Sequence, residues 1–220
     1  MLRSRFTLTS SRAHSLIAAA AAAALFLGAA CAPDDGEIGE DQIETTATTA
    51  ADAPSSPQDA FWANLQGLCE SAAHGELLQA PDTQIDPDSD LLVHFWECGD
   101  EEIRFPLHVD DNRSRTWVFI RHDDHLELRH DHRHEDGTEE DNTWYGDTTI
   151  DQGTANRQEF ASMRGEVIGG WAVEIEPGVH FTYGTMRDHE FRHHLRFDLT
   201  EEAELPPMHW GHETRPSQRP

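Results

Sequence analysis

The residues best suited to chemistry are histidines, which are densest between residues 121 and 137. If residues 125–132 form a strand, alternation places His130 and His132 on the same face as two leucines, facing the core. His193 stands between apolar residues of another candidate strand, and the same alternation predicts that it faces inward. The spacing therefore predicts that several imidazoles lie near the rim of one core.

Two imidazoles side by side on a strand are a common way to offer nitrogen ligands to Zn²⁺ or Cu²⁺. A third nitrogen or a nearby carboxylate would complete an open metal site. The alternative is a hydrogen-bonded polar network at a strand end, or a solvated face. The predicted metal ligands are His130, His132, His134, His193 and Asp136, with Glu135 as an alternative carboxylate.

Arginines are the second feature of this region. Between Arg113 and Arg133, five arginines stand against four acidic residues, a local balance of +1 in a chain whose formal charge is −26. Guanidinium groups suit the planar fork of a carboxylate or a phosphate. The arginines are therefore candidates to hold an anionic ligand, and pairing with acidic residues inside the same hairpin is the alternative.

Charge and composition exclude several function classes. The chain has 42 acidic and 16 basic residues, and every basic residue is Arg. A chain this acidic lacks the basic face that nucleic-acid binding needs. Without Lys there is neither Schiff-base chemistry nor a Walker phosphate loop, and the sequence holds no Gly-x-Ser-x-Gly or His-Glu-x-x-His motif. Catalysis therefore has no local signature.

Strand patterns dominate the middle of the chain and position these side chains. One short amphipathic helix is predicted near residues 57–68, where Pro and Asp precede an apolar face. Period-two alternation and short turns predict an all-β fold, either a single antiparallel barrel or a two-sheet sandwich of 8–9 strands. The architecture resembles lipocalin and fatty-acid-binding barrels. The candidate strands are residues 91–98, 102–109, 115–122, 125–132, 143–150, 157–163, 171–176, 180–187 and 190–199.

The first 32 residues predict export. Residues 1–30 combine arginines with an apolar run typical of a secretory signal peptide. The run that ends at Cys31 resembles a bacterial lipobox, with its aliphatic residue, Leu27, one position early. It predicts lipidation of Cys31 and a lipid anchor in the membrane, with plain secretion as the alternative. Ala32 is not the Asp that retains lipoproteins in the inner membrane, so the outer membrane, facing the periplasm, is expected.

Composition divides the rest of the chain into three parts. Residues 31–57 are predicted to be a disordered acidic tether, 58–200 the all-β domain, and 201–220 a mostly disordered tail in which Met208 and Trp210 could dock back. Cys69 and Cys98 are expected to form a disulfide bond in an oxidising compartment, which stabilises the fold by about 3 to 4 kcal/mol.

Four segments carry a resemblance to a known family, namely residues 61–69, 113–118, 128–138 and 157–160. They resemble a family of uncharacterised bacterial secreted proteins and lipoproteins that shares the FWANLQGLC and LRHDHRHEDGT segments. The resemblance covers roughly residues 61–199. It implies an envelope location and a shared hairpin, and it carries over no catalytic residue.

The expected function is a lipid-anchored envelope domain that binds a small ligand or a metal ion without catalysis. Two alternatives stay open at this point. One is a metal-dependent envelope hydrolase that uses the same histidines. The other is a structural or partner-binding lipoprotein in which the histidine-rich hairpin is only a polar rim.

Overall fold

A computed structural model describes residues 56–80 and 85–212, which form one helix and twelve strands. None of the helices in this described part has the length and apolarity needed to cross a bilayer. Helix α1 is Pro57–Gln66. The strands are β1 (Ser71–Gln79), β2 (Leu91–Phe95), β3 (Glu97–Cys98), β4 (Glu102–Val109), β5 (Asn112–Arg121), β6 (Leu126–His132), β7 (Tyr145–Thr148), β8 (Arg157–Arg164), β9 (Val167–Glu176), β10 (His180–Arg187), β11 (Glu190–Phe191) and β12 (His194–Asp198).

All strand pairs are antiparallel and belong to one sheet that nearly closes on itself. Ten strands follow the order β7-β6-β5-β4-β2-β1-β12-β10-β9-β8, while β3 pairs with β4 and β11 with β10. The two edge strands approach each other where Thr149 bridges Phe160, and Ile150 N donates to Glu159 O at 3.0 Å. The predicted all-β fold with a single barrel is therefore confirmed.

Strand β1 has no counterpart among the nine predicted strands. Its sequence, SAAHGELLQ, is rich in small residues, which have low strand propensity. The structure explains Gly75: a Cβ at this position would lie 2.5 Å from the ring of Phe197 on the neighbouring strand β12. The small residues of β1 make room for a large neighbour, and this weakens the local signal for a strand.

Helix α1 covers one end of the barrel, as its amphipathic pattern predicts. Ser56 caps it by accepting a hydrogen bond from the Asp59 amide at 3.0 Å, and Pro57 occupies the first turn. Its apolar face buries Phe61, Trp62 and Leu65 in the aromatic core. The predicted disulfide is also present, since Cys69, just after the helix, is bonded to Cys98 on β3.

Part of the predicted tail, residues 203–212, packs against the barrel; this stretch is called the C-terminal segment below. Arg113 donates to the carbonyl oxygen of Met208 at 2.8 Å, and the Trp210 amide donates to the Arg113 carbonyl. Gly211 lies so close to Gly137 that a Cβ on it would be 3.0 Å from the Gly137 oxygen. Met208 and Trp210 therefore dock on the barrel, as the sequence analysis allowed. The described part of the tail ends at His212, and residues 213–220 lie outside it. The predicted signal peptide, Cys31 and most of the tether lie outside it too.

The C-terminal segment buries histidines on the outside of the barrel. His209 is 1% exposed, packs against the ring of Trp96, and has no hydrogen-bond partner for either ring nitrogen among the described residues. Burial, and then the proximity of His212, lower the pKa of His209 to about 2. Burial likewise lowers the pKa of His108 to about 4. The folded protein therefore holds these imidazoles neutral.

We predict that the protein loses stability as the pH falls below about 6.5, because the buried imidazoles protonate in the unfolded chain but not in the folded one. Each such histidine lowers the unfolding free energy by about 2 kcal/mol between pH 7 and pH 5. Urea unfolding at both pH values measures the fall in unfolding free energy between pH 7 and pH 5. In His209→Gln this fall should be about 2 kcal/mol smaller than in the wild-type protein. The groups facing His209 are His212, Asp131, Arg104 and His108.

The matched control is His134→Gln, which changes an exposed histidine. It should keep the pH dependence of the wild-type protein. Equal pH dependence in His209→Gln and the wild type would contradict the prediction.

Candidate functional site

The barrel encloses a cavity at the end opposite helix α1. The cavity has a volume of about 240 Å³ and is lined by residues of strands β1, β4, β5, β6, β7, β9, β10 and β12. Its aromatic walls are Trp117, Tyr145, Trp171 and Tyr183. Its polar lining includes Arg115, His130, His132, Thr185 and His193.

The register of three neighbouring strands places the central side chains. Trp117 on β5 is paired with His130 on β6, and His130 is paired in turn with Tyr145 on β7. Two residues nearer the open end, Arg115 is paired with His132. Because paired residues project to the same face of a sheet, these side chains form two rows that face the cavity.

His130 is held by hydrogen bonds on both ring nitrogens. Its Nδ1 lies 3.1 Å from the carbonyl oxygen of Tyr145, and its Nε2 lies 2.6 Å from the hydroxyl of Tyr183. A carbonyl oxygen only accepts, so Nδ1 donates and Nε2 accepts from the tyrosine hydroxyl. Burial lowers the pKa of His130 to about 4, and this imidazole is therefore neutral at neutral pH.

His132 stands nearer the mouth in a second histidine–tyrosine pair. Its Nε2 lies 3.1 Å from the Tyr145 hydroxyl, and its Nδ1 lies 3.7 Å from a carboxylate oxygen of Glu140. Burial, and then the charge of Arg115, lower the pKa of His132. Burial raises the pKa of Tyr145 and, much further, that of Tyr183. Both phenols are therefore protonated at neutral pH.

Stacked rings make the cavity walls flat. Trp117 and Tyr183 stack with centroids 4.1 Å apart and an interplanar angle of 28°. His130 and Tyr145 stack at 4.7 Å and 8°, and Trp171 lies 4.8 Å from the His130 ring. Flat aromatic faces accept flat apolar groups by offset stacking.

Arg115 is a half-buried guanidinium at the cavity. Within residues 56–80 and 85–212, no carboxylate lies within ion-pair distance of it, although it sits in a strongly acidic chain. Arg129 pairs with Glu127 and Arg133 with Asp131, as the predicted alternative of pairing inside the hairpin expects. Arg121 pairs instead with Asp59 of helix α1, and Arg113 donates to the carbonyl oxygen of Met208.

The structure separates the five predicted metal ligands into two groups. His130, His132 and His193 line the cavity as the alternation predicts, and His193 Nδ1 lies 3.0 Å from the Thr185 hydroxyl. His134 and Asp136 lie exposed in the turn after β6, where Asp136 accepts from the amide and hydroxyl of Thr138. Glu135 is also exposed.

The described residues contain no group of three or more His, Cys, Asp or Glu side chains placed to hold a metal ion. At the cavity, the histidines instead form hydrogen bonds with tyrosine and threonine. The predicted polar network is therefore the arrangement that the structure contains. Binding of Zn²⁺ or Cu²⁺ stays a prediction that would require these hydrogen bonds to be replaced.

Sequence reasoning did not single out Tyr145, Tyr183, Trp117 or Trp171 as site residues. The sequence does contain a pattern that places two of them inside the barrel. Trp117 lies two positions from buried Phe119 and Tyr183 two positions from buried Phe181, so each shares the inward face of its strand. Arg115 shares this phase with Trp117 on β5. An arginine in phase with a buried apolar row indicates a charge aimed at the barrel interior.

Comparison of the chain with protein-family models, with curated proteins and with solved structures found no match. The geometry of the cavity therefore carries the functional argument.

We predict that Tyr183→Phe lowers the unfolding free energy by about 1 to 3 kcal/mol, because it leaves Nε2 of buried His130 without its donor. Urea unfolding at neutral pH measures this loss. The control is Tyr145→Phe, whose hydroxyl contacts the half-buried His132. Water can replace that contact, so the control should lose less than about 1 kcal/mol. Equal losses in the two variants would argue against the buried Tyr183–His130 hydrogen bond.

Proposed function

We propose that this domain binds a small, flat organic molecule in the barrel cavity and does not transform it chemically. The observation that carries the proposal is the pairing of a cavity open at one end with stacked aromatic walls. A cavity of about 240 Å³ remains inside a barrel whose opposite half is filled with aromatic side chains. Protein interiors are otherwise close-packed, so a volume of this size at the barrel mouth is typical of a ligand site.

The volume and the lining define the class of ligand. The cavity is somewhat smaller than the roughly 300 to 1,000 Å³ of sites for drug-sized molecules. Its walls are stacked rings, and leucines line it at Leu77, Leu107 and Leu195. A molecule of one or two fused rings fits this description.

Two features support binding rather than catalysis. The sequence lacks local nucleophile motifs. Both ring nitrogens of His130 are engaged in hydrogen bonds, so neither is available to bind a metal ion or to act as a base. This arrangement favours a structural role for His130 in the cavity wall. The metal-dependent hydrolase and the structural lipoprotein are the rival interpretations. Turnover of test esters that is lost in chelator would indicate the hydrolase, and absence of ligand binding would favour the structural lipoprotein.

We also propose that the domain is anchored to the outer membrane by a lipid on Cys31, facing the periplasm. The support is the signal-like segment of residues 1–30, the lipobox resemblance, and the resemblance to envelope proteins. The Cys69–Cys98 disulfide agrees with an oxidising compartment. The acidic tether would then separate the barrel from the lipid surface.

The binding proposal predicts that the purified protein, without a histidine tag, binds the neutral probe 2-naphthamide. We expect a single site with a Kd on the order of 0.1 mM, as ordinary ligand efficiency gives for a molecule of this size. Titration calorimetry measures the affinity. Leu77→Trp should weaken binding at least about tenfold, because the added ring occupies the cavity.

The matched control is Met163→Trp, which adds the same ring at a side chain 61% exposed on the outside. It should bind the probe as the wild-type protein does. Absence of probe binding in the wild-type protein would refute the proposal, as would equal binding by Leu77→Trp.

The anchor proposal predicts that Cys31→Ser abolishes incorporation of a labelled fatty acid in a bacterial host. The reason is that the thiol of Cys31 is the site of lipid attachment. Gel fluorography and membrane fractionation check the result. Labelling of the Cys31→Ser protein would contradict this anchor.

A further inference from the structure

The shape of the cavity indicates a flat ligand, and the positive charge at the cavity indicates the charge of that ligand. Arg115 contributes a full positive charge that no carboxylate in the described ranges neutralises by ion pairing. By contrast, Arg104, Arg121, Arg129, Arg133 and Arg157 each pair with at least one carboxylate. Partial burial of an unpaired charge is costly, and a bound counter-ion removes that cost.

The groups around Arg115 set the charge that the site accepts. His130 and His132 are kept neutral at neutral pH, and both tyrosines stay protonated. Glu140 lies beside His132 and outside ion-pair distance of Arg115. The Arg115 guanidinium, flanked by neutral imidazoles and phenols and not paired with Glu140, can balance a single negative charge.

From this arrangement we infer that the ligand is an aromatic or similarly flat monocarboxylate, whose carboxylate binds Arg115 while its ring enters between the stacked walls. The inference rests on the proposed function, because it assigns the chemistry of the same cavity. The guanidinium fork matches the planar carboxylate through two parallel N–H···O bonds. A phosphate dianion would leave one negative charge without a cation in a chain that is already strongly acidic.

The position of Arg115 agrees with this orientation. It is paired with His132, one row nearer the mouth than the Trp117–His130 row. A carboxylate at Arg115 therefore lies at the open end, where partial hydration reduces its desolvation. The ring lies deeper, against Trp117 and Tyr183. The polarity of the cavity thus increases from its interior towards its mouth.

The test compares 2-naphthoate with 2-naphthamide, two probes of the same shape that differ in charge. The wild-type protein should bind the carboxylate about tenfold more tightly or better, as a charge-assisted hydrogen-bonded pair gives. In Arg115→Gln, the affinity for 2-naphthoate should fall until it equals that for 2-naphthamide, and a cooperative urea-unfolding transition shows that the variant is folded. Arg192→Gln, which changes an exposed arginine that does not line the cavity, should keep the preference.

Each outcome has a distinct meaning. If the wild-type protein binds both probes equally, the carboxylate assignment fails and the proposed function stands. If it binds neither, the proposed function itself fails, and this inference with it. If Arg115→Gln keeps the preference for the carboxylate, Arg115 is not the anchor. Tighter binding of 2-naphthyl phosphate than of 2-naphthoate would overturn the assignment in favour of phosphate.

Discussion

The register between strands β5 and β6 is the constraint on which the cavity depends. A shift of one residue would turn every side chain of β6 to the opposite face of the sheet and remove His130 and His132 from the interior. The apolar end of the same pair of strands holds the register, because Phe119 and Leu128 are paired and both are buried in the core. Apolar packing at one end of the barrel thus positions the polar groups at the other.

The two ends of the barrel differ in what fills them. At one end, helix α1 and the aromatic core exclude water, and Phe95, Phe105 and Phe181 meet edge to face. At the other end, the strands carry arginine, histidine and tyrosine in the same inward phase. The histidines and tyrosines satisfy one another by hydrogen bonding, so the open end keeps its shape without close apolar packing. The result is a rigid barrel with a preformed recess.

Neutral histidines recur on both sides of the barrel wall. Inside, burial lowers the pKa of His130 and holds it uncharged, while its Nε2 accepts a hydrogen bond from Tyr183. Outside, the C-terminal segment buries His209 against Trp96 and covers Asp131, which is 1% exposed although it lies on the outer face of β6. Because the neighbouring imidazoles are neutral, Arg115 dominates the charge of the cavity at neutral pH. A ligand that carries one negative charge would therefore be recognised against the negative field of the whole chain.

The sequence by itself determined the features that depend on residues close together in the chain, namely most strands, the helix and the inward faces of several histidines. Alternation predicts the strands and the inward faces of His130, His132 and His193, while the apolar face and cap of α1 predict the helix. Two cysteines in a chain that is expected to be exported predict their disulfide, which the structure contains. Strand β1 was not predicted, because its small residues weaken the local strand pattern. The reason for Gly75 is the space that it leaves for the ring of Phe197, which is distant in sequence.

The chemical state of the site was decided only by the tertiary structure. Tyr183 and His130 are 53 positions apart, and only closure of the barrel brings the hydroxyl to the imidazole nitrogen. That contact and burial decide that His130 is a neutral, fully hydrogen-bonded group. Among the described residues, the lack of a carboxylate partner for Arg115 also emerges only in three dimensions, since Asp131 on the neighbouring strand pairs with Arg104 and Arg133 instead. Local periodicity shows which way a side chain faces, and only the closed sheet determines what it meets there.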